Sequence, residues 1–196
     1  ADVTLVAGPV SLECKNPRIT RVDVESAREM YDAAMEAFPG CDVAVLSAAV
    51  ADYRPAQCAA VKMKRTADDM FIELTPNSDI AASLGAVKGE NQLLVGFALE
   101  TDNAEENARL KLQKKNLDFI VLNSLEDKGA GFACDTNKVT IIDRNGKSDF
   151  PLKSKKEVAK DIVAHLSRLL LVLAFMLLPL SASAEGEELN ANVTLN

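Results

Sequence analysis

Short apolar runs alternate along this chain with longer stretches in which apolar residues recur every three or four positions. The runs predict strands at residues 3–7, 19–24, 42–48, 93–98 and 119–123. Strands that alternate with helical patterns are typical of βαβ units. The pattern therefore predicts an α/β fold with a Rossmann-like, mostly parallel sheet and helices on both faces.

Helix starts and stops support this arrangement. Ser26-Ala-Arg-Glu29 has the spacing of a capping box, and Pro39-Gly40 predicts that this helix ends near Phe38. A second helix is expected to begin at Asp102 or Asn103, which would cap it, and to run through Lys115. Its acidic first turn and basic last turn suit the helix dipole.

The last part of the pattern predicts a C-terminal β-hairpin and a final helix. Residues 138–143 and 148–152 read as strands, and Asn145-Gly146 between them favours a type I′ turn. An amphipathic pattern predicts the helix from Ser154 to about Arg168.

The segment after Arg168 has a different character. Residues 169–180 are almost entirely apolar, and Ser-Ala-Ser-Ala184 and an acidic stretch follow. The run is shorter than the ~20 residues of a membrane span but resembles a signal-peptide core with its cleavage site. We expect residues 1–168 to form one domain and residues 169–196 to be an appendage foreign to it. The alternatives are an apolar terminal helix packed on the core, or a tail anchor.

Charge and cysteine usage narrow the function classes. The net charge of −7 argues against nucleic acid as a partner, because phosphate backbones are bound by basic surfaces. The four cysteines, Cys14, Cys41, Cys58 and Cys134, lack metal-site or disulfide-framework spacing, which favours a cytoplasmic protein. His165 is the single histidine, so a histidine-based catalytic triad is excluded; we expect it to be structural or solvent-facing.

Candidate chemistry begins where the third predicted strand ends. Ala48, Ala49 and Ala51 would let a ligand approach the backbone, and Asp52 and Lys62 follow them. Ligands of open α/β sheets bind outside the carboxyl ends of the strands. There, Asp52 is suited to a base or sugar and Lys62 to a phosphate, although a helix-cap or turn aspartate and a solvated lysine are the structural alternatives.

Six segments in this order carry a resemblance to a known family. They are VTLVAGPVSL from Val3, AAVADYR from Ala48, KMK from Lys62, NSDI from Asn77, VGFALET from Val95 and ARLKLQKKNLD from Ala108. The chain, over about residues 1–168, resembles the phosphopantothenoylcysteine synthetase family, the ligase half of bifunctional bacterial coenzyme A biosynthesis proteins.

The resemblance implies a ligase that joins 4′-phosphopantothenate to cysteine. Activation by CTP would give an acyl-cytidylate and pyrophosphate, and the cysteine amine would then displace CMP. Mg²⁺ is implied because it commonly bridges phosphate oxygens in such transfers. No step needs an enzyme nucleophile.

The resemblance also implies roles for particular residues. Lys62 corresponds to a lysine that neutralises phosphate charge, and it is the catalytic candidate. Ser78 stands where the family has proline, which removes a backbone restraint from the loop. Phe97 maps to an aromatic residue beside the base, with a core position at the strand end as the alternative. The implied nucleotide-binding residues are Ala48, Ala49, Asp52, Lys62, Ser78, Asp79, Ile80, Ala81, Phe97, Lys111 and Lys115; the metal ligands are left open.

The family supplies four further expectations. Its first βα unit, with an asparagine loop, has no counterpart in this sequence, so a strand is expected to be missing between the strands at 3–7 and 42–48, and the chain alone is expected to be inactive. A homodimer is implied, with residues 138–152 as a possible contact, as is a flavin-dependent decarboxylase domain in the full-length protein. Independently of the family, the residues Gly129-Ala-Gly-Phe132 predict a loop over the substrate. The rival interpretations are a non-catalytic nucleotide-binding module and a membrane-associated protein using residues 169–180.

Overall fold

A computed structural model describes residues 1–64, 69–100, 102–124 and 135–177 of the chain. Its strands are β1 (Val3–Ala7), β2 (Ile19–Asp23), β3 (Val43–Leu46), β4 (Tyr53–Pro55), β5 (Leu74–Pro76), β6 (Leu93–Glu100), β7 (Phe119–Ser124), β8 (Thr136–Asn137), β9 (Val139–Asp143), β10 (Lys147–Asp149) and β11 (Lys153–Ser154). Its helices are α1 (Ala27–Ala37), α2 (Ile80–Val87), α3 (Ala104–Lys114) and α4 (Lys155–Leu177), with a 3-10 turn at Phe38–Gly40. All five strands predicted from the apolar runs are present, which confirms the α/β class.

The central sheet is mixed. Its five strands lie in the order β10-β9-β7-β6-β3, with β3, β6 and β7 parallel and β9 and β10 antiparallel. β1 and β2 form a separate parallel pair. In the described part of the chain β1 and β3 do not pair with each other, so the expectation of a strand between them stands as a prediction.

Each face of the central sheet carries its own apolar core, because successive strand side chains point to opposite faces. Leu94, Ala98, Ile120 and Leu122 face α3 and the α1–α2 region. The opposite face packs against α4 through Val95, Phe119, Val121, Val139 and Ile141. Helices therefore cover both faces, as the sequence predicts.

The start of α1 follows the sequence prediction. Ser26 Oγ accepts a hydrogen bond from Glu29 N–H at 3.2 Å, and Glu29 Oε2 accepts from Ser26 N–H at 3.1 Å. These two bonds form the predicted capping box. The N–H of Glu25, and after it that of Ser26, donate to the Glu29 carboxylate and hold its pKa below its usual value.

Two local predictions need correction. Asn103 occupies the N-cap of α3, but its backbone is left-handed and its side chain makes no capping hydrogen bond. The hairpin turn is not a type I′ turn at Asn145-Gly146, since Asn145 does not have the positive φ which that turn requires. Instead Asp143 Oδ1 accepts from the N–H groups of Asn145 and Gly146 at 2.8 and 2.9 Å, so an Asx-type side-chain bond shapes the turn.

The final helix is longer than the amphipathic pattern predicts. α4 continues through the apolar residues after Arg168 to Leu177, and Leu169 packs beside Leu166 on the core. Farther along, Leu171, Val172 and Phe175 are exposed. Among the described helices none is long and apolar enough to cross a membrane. Residues 178–196 lie outside the described part, and the boundary at residue 168 stays a prediction.

His165 has a structural position on α4. Its side chain is only 13% exposed, and its ring meets Phe119 edge-on with 4.8 Å between the centroids. Nε2 lies 3.3 Å from Asp143 Oδ2 without good hydrogen-bond geometry. Of the two expectations for His165, structural or solvent-facing, the structural one is correct.

Candidate functional site

Residues that follow β3 are open to solvent. Ala48, Ala49, Asp52 and Lys62 are all exposed. In the described structure, the side chains of Asp52 and Lys62 make no hydrogen bond or ion pair. We call residues 48–62 the arm side of the candidate site, because they lead into and beyond β4. β4 and β5 pair only with each other, as a two-stranded arm outside the main sheet.

Asn77 ties the arm side to α2. Its backbone N–H donates to Asp52 O at 2.8 Å and its side-chain Nδ2 donates to Ala51 O at 2.8 Å. Arg54 Nη1 donates to Asn77 Oδ1 at 3.0 Å and to Pro76 O at 2.8 Å. These bonds bring Asn77 next to Ala51 and Asp52 in the segment that follows β3.

Asp79 links this loop to α3. It is the N-cap of α2, where Oδ1 accepts from Ala82 N–H at 3.0 Å, and its Oδ2 lies 3.1 Å from Lys115 Nζ. Partial burial acts to raise the pKa of Asp79, but the hydrogen bond from Ala82 and the ammonium of Lys115 outweigh it, so the pKa is lowered. The carboxylate is therefore held in its charged form.

Lys111, one turn before Lys115 on α3, is paired with Glu100 at the carboxyl end of β6. The distance from Nζ to Glu100 Oε1 is 2.5 Å, and the Glu100 side chain is 14% exposed. Asn107 Nδ2 also points to Glu100, at 3.4 Å. Sequence analysis missed Glu100, although its place at the end of a buried strand was the available signal. We call Asp79, Glu100, Lys111 and Lys115 the helix side of the site.

Two contacts fix the position of α2 and α3, which carry the helix side: a close approach at Gly85 and an ion pair between Lys88 and Asp118. A Cβ on Gly85 would lie 2.0 Å from Lys115 O, so glycine is what allows α2 to approach the end of α3. Beyond α2, the ammonium of Lys88 is 2.9 Å from Asp118 Oδ2, and its side chain is 8% exposed. Asp118 Oδ2 also accepts from Leu94 N–H at 2.6 Å, which joins this ion pair to the central sheet.

The remaining predicted residues are placed as follows. Ser78 is exposed. Ile80, the first residue of α2, packs against the core, and Ala81 is partly buried. Phe97 packs with Val95 on the α4 face of the sheet, which is the position of its core alternative. The lysines of α3 belong to the opposite face. Gly129-Ala-Gly-Phe132 and Cys134 lie outside the described residues.

Two hollows on the described surface bear on the site. The larger, about 360 Å³, lies along α3 and is lined by that helix alone: Glu105, Glu106, Arg109, Leu110 and Gln113. With one wall and no convergent groups, it lacks the shape of a ligand site. The smaller, about 130 Å³, lies where α1 meets the arm and residues 77–78. It adjoins the candidate site.

Comparison with known proteins gives matches over most of the chain. The family model of the DNA/pantothenate metabolism flavoprotein C-terminal domain matches residues 1–170. A cysteine/cysteine sulfinic acid decarboxylase from an unknown prokaryotic organism is 54% identical over 167 residues, which are 85% of this chain and 46% of that protein. The coenzyme A biosynthesis bifunctional protein of Vibrio vulnificus is 41% identical over 172 residues, 87% of this chain and 43% of that protein.

A solved structure of the same kind of protein has a similar fold. The crystal structure of the C-terminal domain of a coenzyme A biosynthesis bifunctional protein is 39% identical, with a TM-score of 0.70, and the match covers 86% of this chain and 74% of that one. This chain spans less than half the length of the two relatives named above. The chain belongs to the family of the DNA/pantothenate metabolism flavoprotein C-terminal domain, and it is similar to the C-terminal domain of a coenzyme A biosynthesis bifunctional protein.

Proposed function

We propose that this chain is the ligase part of a protein that joins 4′-phosphopantothenate to cysteine through an acyl-cytidylate. The observation that carries the proposal is the family match over residues 1–170. The geometry supports it, because contacts run from Asp52 through Asn77 and Asp79 to Lys115, and because Asp52 follows β3 and Lys111 meets Glu100 at the carboxyl end of β6. Ligands of open α/β sheets bind at this edge.

In the proposed reaction the chain acts by positioning and charge. The carboxylate of 4′-phosphopantothenate attacks the α-phosphorus of CTP and pyrophosphate leaves. The amine of cysteine then attacks the activated carbonyl and CMP leaves. Lys62 is assigned to the phosphates as the catalytic residue, because its exposed ammonium has no carboxylate partner in the described structure.

The remaining residues are assigned to different parts of the nucleotide. Asp52 is assigned to the cytosine amine, since a carboxylate accepts from that group. Lys111 and Lys115 are assigned to the phosphates, and the anionic ligand would have to compete with Glu100 and Asp79 for their ammonium groups. Ala48, Ala49, Ser78, Ile80, Ala81 and Phe97 complete the proposed nucleotide set.

The residues present are compatible with Mg²⁺. Groups of three or more possible metal ligands do not occur among the described residues. Mg²⁺ bound with a nucleotide needs only one or two protein carboxylates, since waters and phosphates supply the rest. Asp79 would hold it, because its carboxylate stays charged beside the predicted phosphate-binding lysines. When bound, the ion would neutralise charge on the phosphate oxygens.

The proposed setting is a cytoplasmic homodimer, joined in the full-length protein to a flavin-dependent decarboxylase domain. The arm is a better candidate for the dimer contact than the β9–β10 hairpin. Apolar side chains on and near it are exposed: Tyr53, Val61, Met63, Met70, Phe71, Ile72 and Leu74. β10, by contrast, is polar, and its Lys147 is paired with Glu105 at 2.6 Å.

The two rival functions are less well supported. A non-catalytic dinucleotide-binding module would carry a G-x-G-x-x-G turn after a strand, and the sequence contains none. The membrane interpretation relies on residues 169–180, of which Leu169 packs against the core.

The test compares Lys62→Gln with the wild type in the natural protein that contains this chain. We expect ligation and CTP-dependent pyrophosphate release to fall about 100-fold or more, with unchanged thermal unfolding. Lys114→Gln, on the last turn of α3, is the matched control and should retain activity. Near-normal ligation by Lys62→Gln would remove Lys62 from the mechanism, and wild-type ligation that needs no nucleotide would overturn the function itself.

A further inference from the structure

The hollow of about 130 Å³ between α1 and the arm has convergent polar walls. Its lining groups come from two directions: Arg28, Tyr31 and Asp32 from α1, and Arg54, Asn77 and Ser78 from the arm and the loop before α2. α1 begins just after β2, so this wall stands at the carboxyl end of a parallel strand. The place is one where ligands of α/β folds bind.

The α1 wall presents unused functional groups. Residues 28, 31 and 32 share a helix face, because positions three and four apart are neighbours on a helix. Within the described structure, the guanidinium of Arg28, the phenol of Tyr31 and the carboxylate of Asp32 make no hydrogen bond or ion pair. Arg28 and Asp32 therefore do not neutralise each other, and both charges remain available to a ligand.

The opposite wall is preorganised. One nitrogen of Arg54, Nη1, is held by Pro76 O at 2.8 Å and by Asn77 Oδ1 at 3.0 Å. A guanidinium has five N–H donors, so these bonds orient it and leave donors for a ligand. Asn77 is itself fixed by Ala51 O at 2.8 Å.

The size and charge of the hollow define the ligand. Its volume is below the roughly 300 Å³ at which pockets for drug-sized ligands begin, so a nucleoside triphosphate does not fit within it. Two guanidiniums are suited to a carboxylate, and one carboxylate is suited to an ammonium group. This combination matches an α-amino acid zwitterion better than a phosphate, which the Asp32 carboxylate would repel.

We propose that this pocket binds a small α-amino acid zwitterion, with Arg28 and Arg54 on its carboxylate and Asp32 on its ammonium group. The inference deepens the proposed function, on which it rests, by assigning the cysteine substrate to this pocket. Ser78 belongs both to the pocket and to the proposed nucleotide set. A bound cysteine would therefore lie beside the nucleotide, where the activated carbonyl forms.

Isothermal titration of the natural protein that contains this chain with three thiols tests the assignment. L-cysteine carries both charges, 3-mercaptopropionate lacks the ammonium group, and cysteamine lacks the carboxylate. Arg28→Gln should weaken binding of L-cysteine and 3-mercaptopropionate about tenfold and leave cysteamine unchanged. Asp32→Asn should weaken L-cysteine and cysteamine by a similar factor and leave 3-mercaptopropionate unchanged. Glu36→Gln, exposed on the next turn of α1, is the matched control.

Three results would overturn the assignment. The first is that L-cysteine shows no saturable binding, and the second is that both variants bind L-cysteine with wild-type affinity. The third is that orthophosphate displaces L-cysteine and binds more tightly to Asp32→Asn than to the wild type. CTP titrated into the same samples separates the two proposals. Loss of L-cysteine binding with CTP binding intact rejects only the pocket, whereas L-cysteine binding without CTP binding counts against the proposed function.

Discussion

The two sides of the candidate site differ in how much of their geometry exists before a ligand binds. On the helix side, Lys111 and Lys115 are each paired with a carboxylate, and the supporting helices rest on a buried core. On the arm side, Asp52 and Lys62 are exposed and their side chains have no partner in the described structure. The helix side thus holds its charges in ion pairs, while the side chains of Asp52 and Lys62 on the arm side have no protein partner within the described residues.

This difference has an energetic consequence. Preorganised charges cost little reorganisation when the reaction occurs, but they first have to be released from their protein partners. A free lysine has full charge available, yet ordering it on binding costs side-chain entropy. Mutations on the helix side should therefore act through stability, and mutations on the arm side through binding and rate.

The largest stability loss is expected for Asp118→Ala, beneath the helix side. The change leaves the Lys88 ammonium, 8% exposed, without its carboxylate, and removes the acceptor of Leu94 N–H. An uncompensated buried charge typically costs about 3–5 kcal/mol of unfolding free energy. Chemical denaturation measures the loss.

The double variant Lys88→Met with Asp118→Ala is the control for that experiment. It removes both charges, so it should recover part of the stability lost in Asp118→Ala. A single variant within about 1 kcal/mol of the wild type would show that this ion pair does not support the helix side.

An intermediate effect is expected for Gly85→Ala. The new Cβ would lie 2.0 Å from Lys115 O, so α2 has to move away from α3 and Asp79 from Lys115. Overpacking of this kind costs about 1–3 kcal/mol, and CTP binding should weaken with it. Gly89→Ala is the matched control, because its nearest neighbour would be Gln92 Oε1 at 3.5 Å. Equal stability of the two variants would contradict the close approach of α2 to α3.

A smaller and local effect is expected for Asn77→Ala, which removes the tie between the arm side and α2. The change removes the bonds to Ala51 O and Arg54 Nη1, each worth about 0.5–1.5 kcal/mol. Amide hydrogen exchange around β4 and β5 should accelerate while the global unfolding midpoint stays constant, since local opening is separate from global unfolding. Ser78→Ala serves as the control. A large drop in the global midpoint would mean that the arm side is as integrated as the helix side.

The smallest effect on stability is expected from protonation of Glu29 at low pH. This residue belongs to the capping box of α1, the helix that carries one wall of the amino acid pocket. The hydrogen bonds from Glu25 and Ser26 N–H lower the pKa of Glu29 from its usual 4.5. A carboxyl with a lowered folded-state pKa stabilises the fold above its unfolded pKa, and this contribution disappears as the pH falls through the folded value.

Thermal unfolding between about pH 6 and about pH 3 measures this contribution. The wild type should lose more stability below about pH 4.5 than Glu29→Gln, which keeps an acceptor but does not titrate. Parallel curves for the two proteins would show that the capping box makes no charge-dependent contribution.

Local sequence signals predicted the elements well. The Ser26–Glu29 capping box is confirmed because it depends on residues three positions apart, and the apolar runs became strands because their burial pattern is written in consecutive residues. The Asn145-Gly146 prediction was wrong because Asp143 offered the turn a competing side-chain hydrogen bond. The pattern also missed β4 and β5, which are too short and too exposed to show a periodic signal.

The candidate site was predicted only in part. Family motifs named Asp79 and Lys115, and the structure brings them together. They gave no role to Glu100, although VGFALET contains it, and they did not show that Phe97 lies on the α4 face of the sheet. The roles of all these residues in nucleotide binding remain predictions.

The sequence by itself determined the order and type of the main elements, the family and the residues able to carry charge, because each depends on composition or short spacing. Only the tertiary structure decided which charges meet. Lys88 forms an ion pair with Asp118, and Lys111 forms one with Glu100. Arg54 and Arg28 line the same pocket. Such pairs are set by how helices pack on the sheet, a long-range arrangement that no local pattern of residues contains.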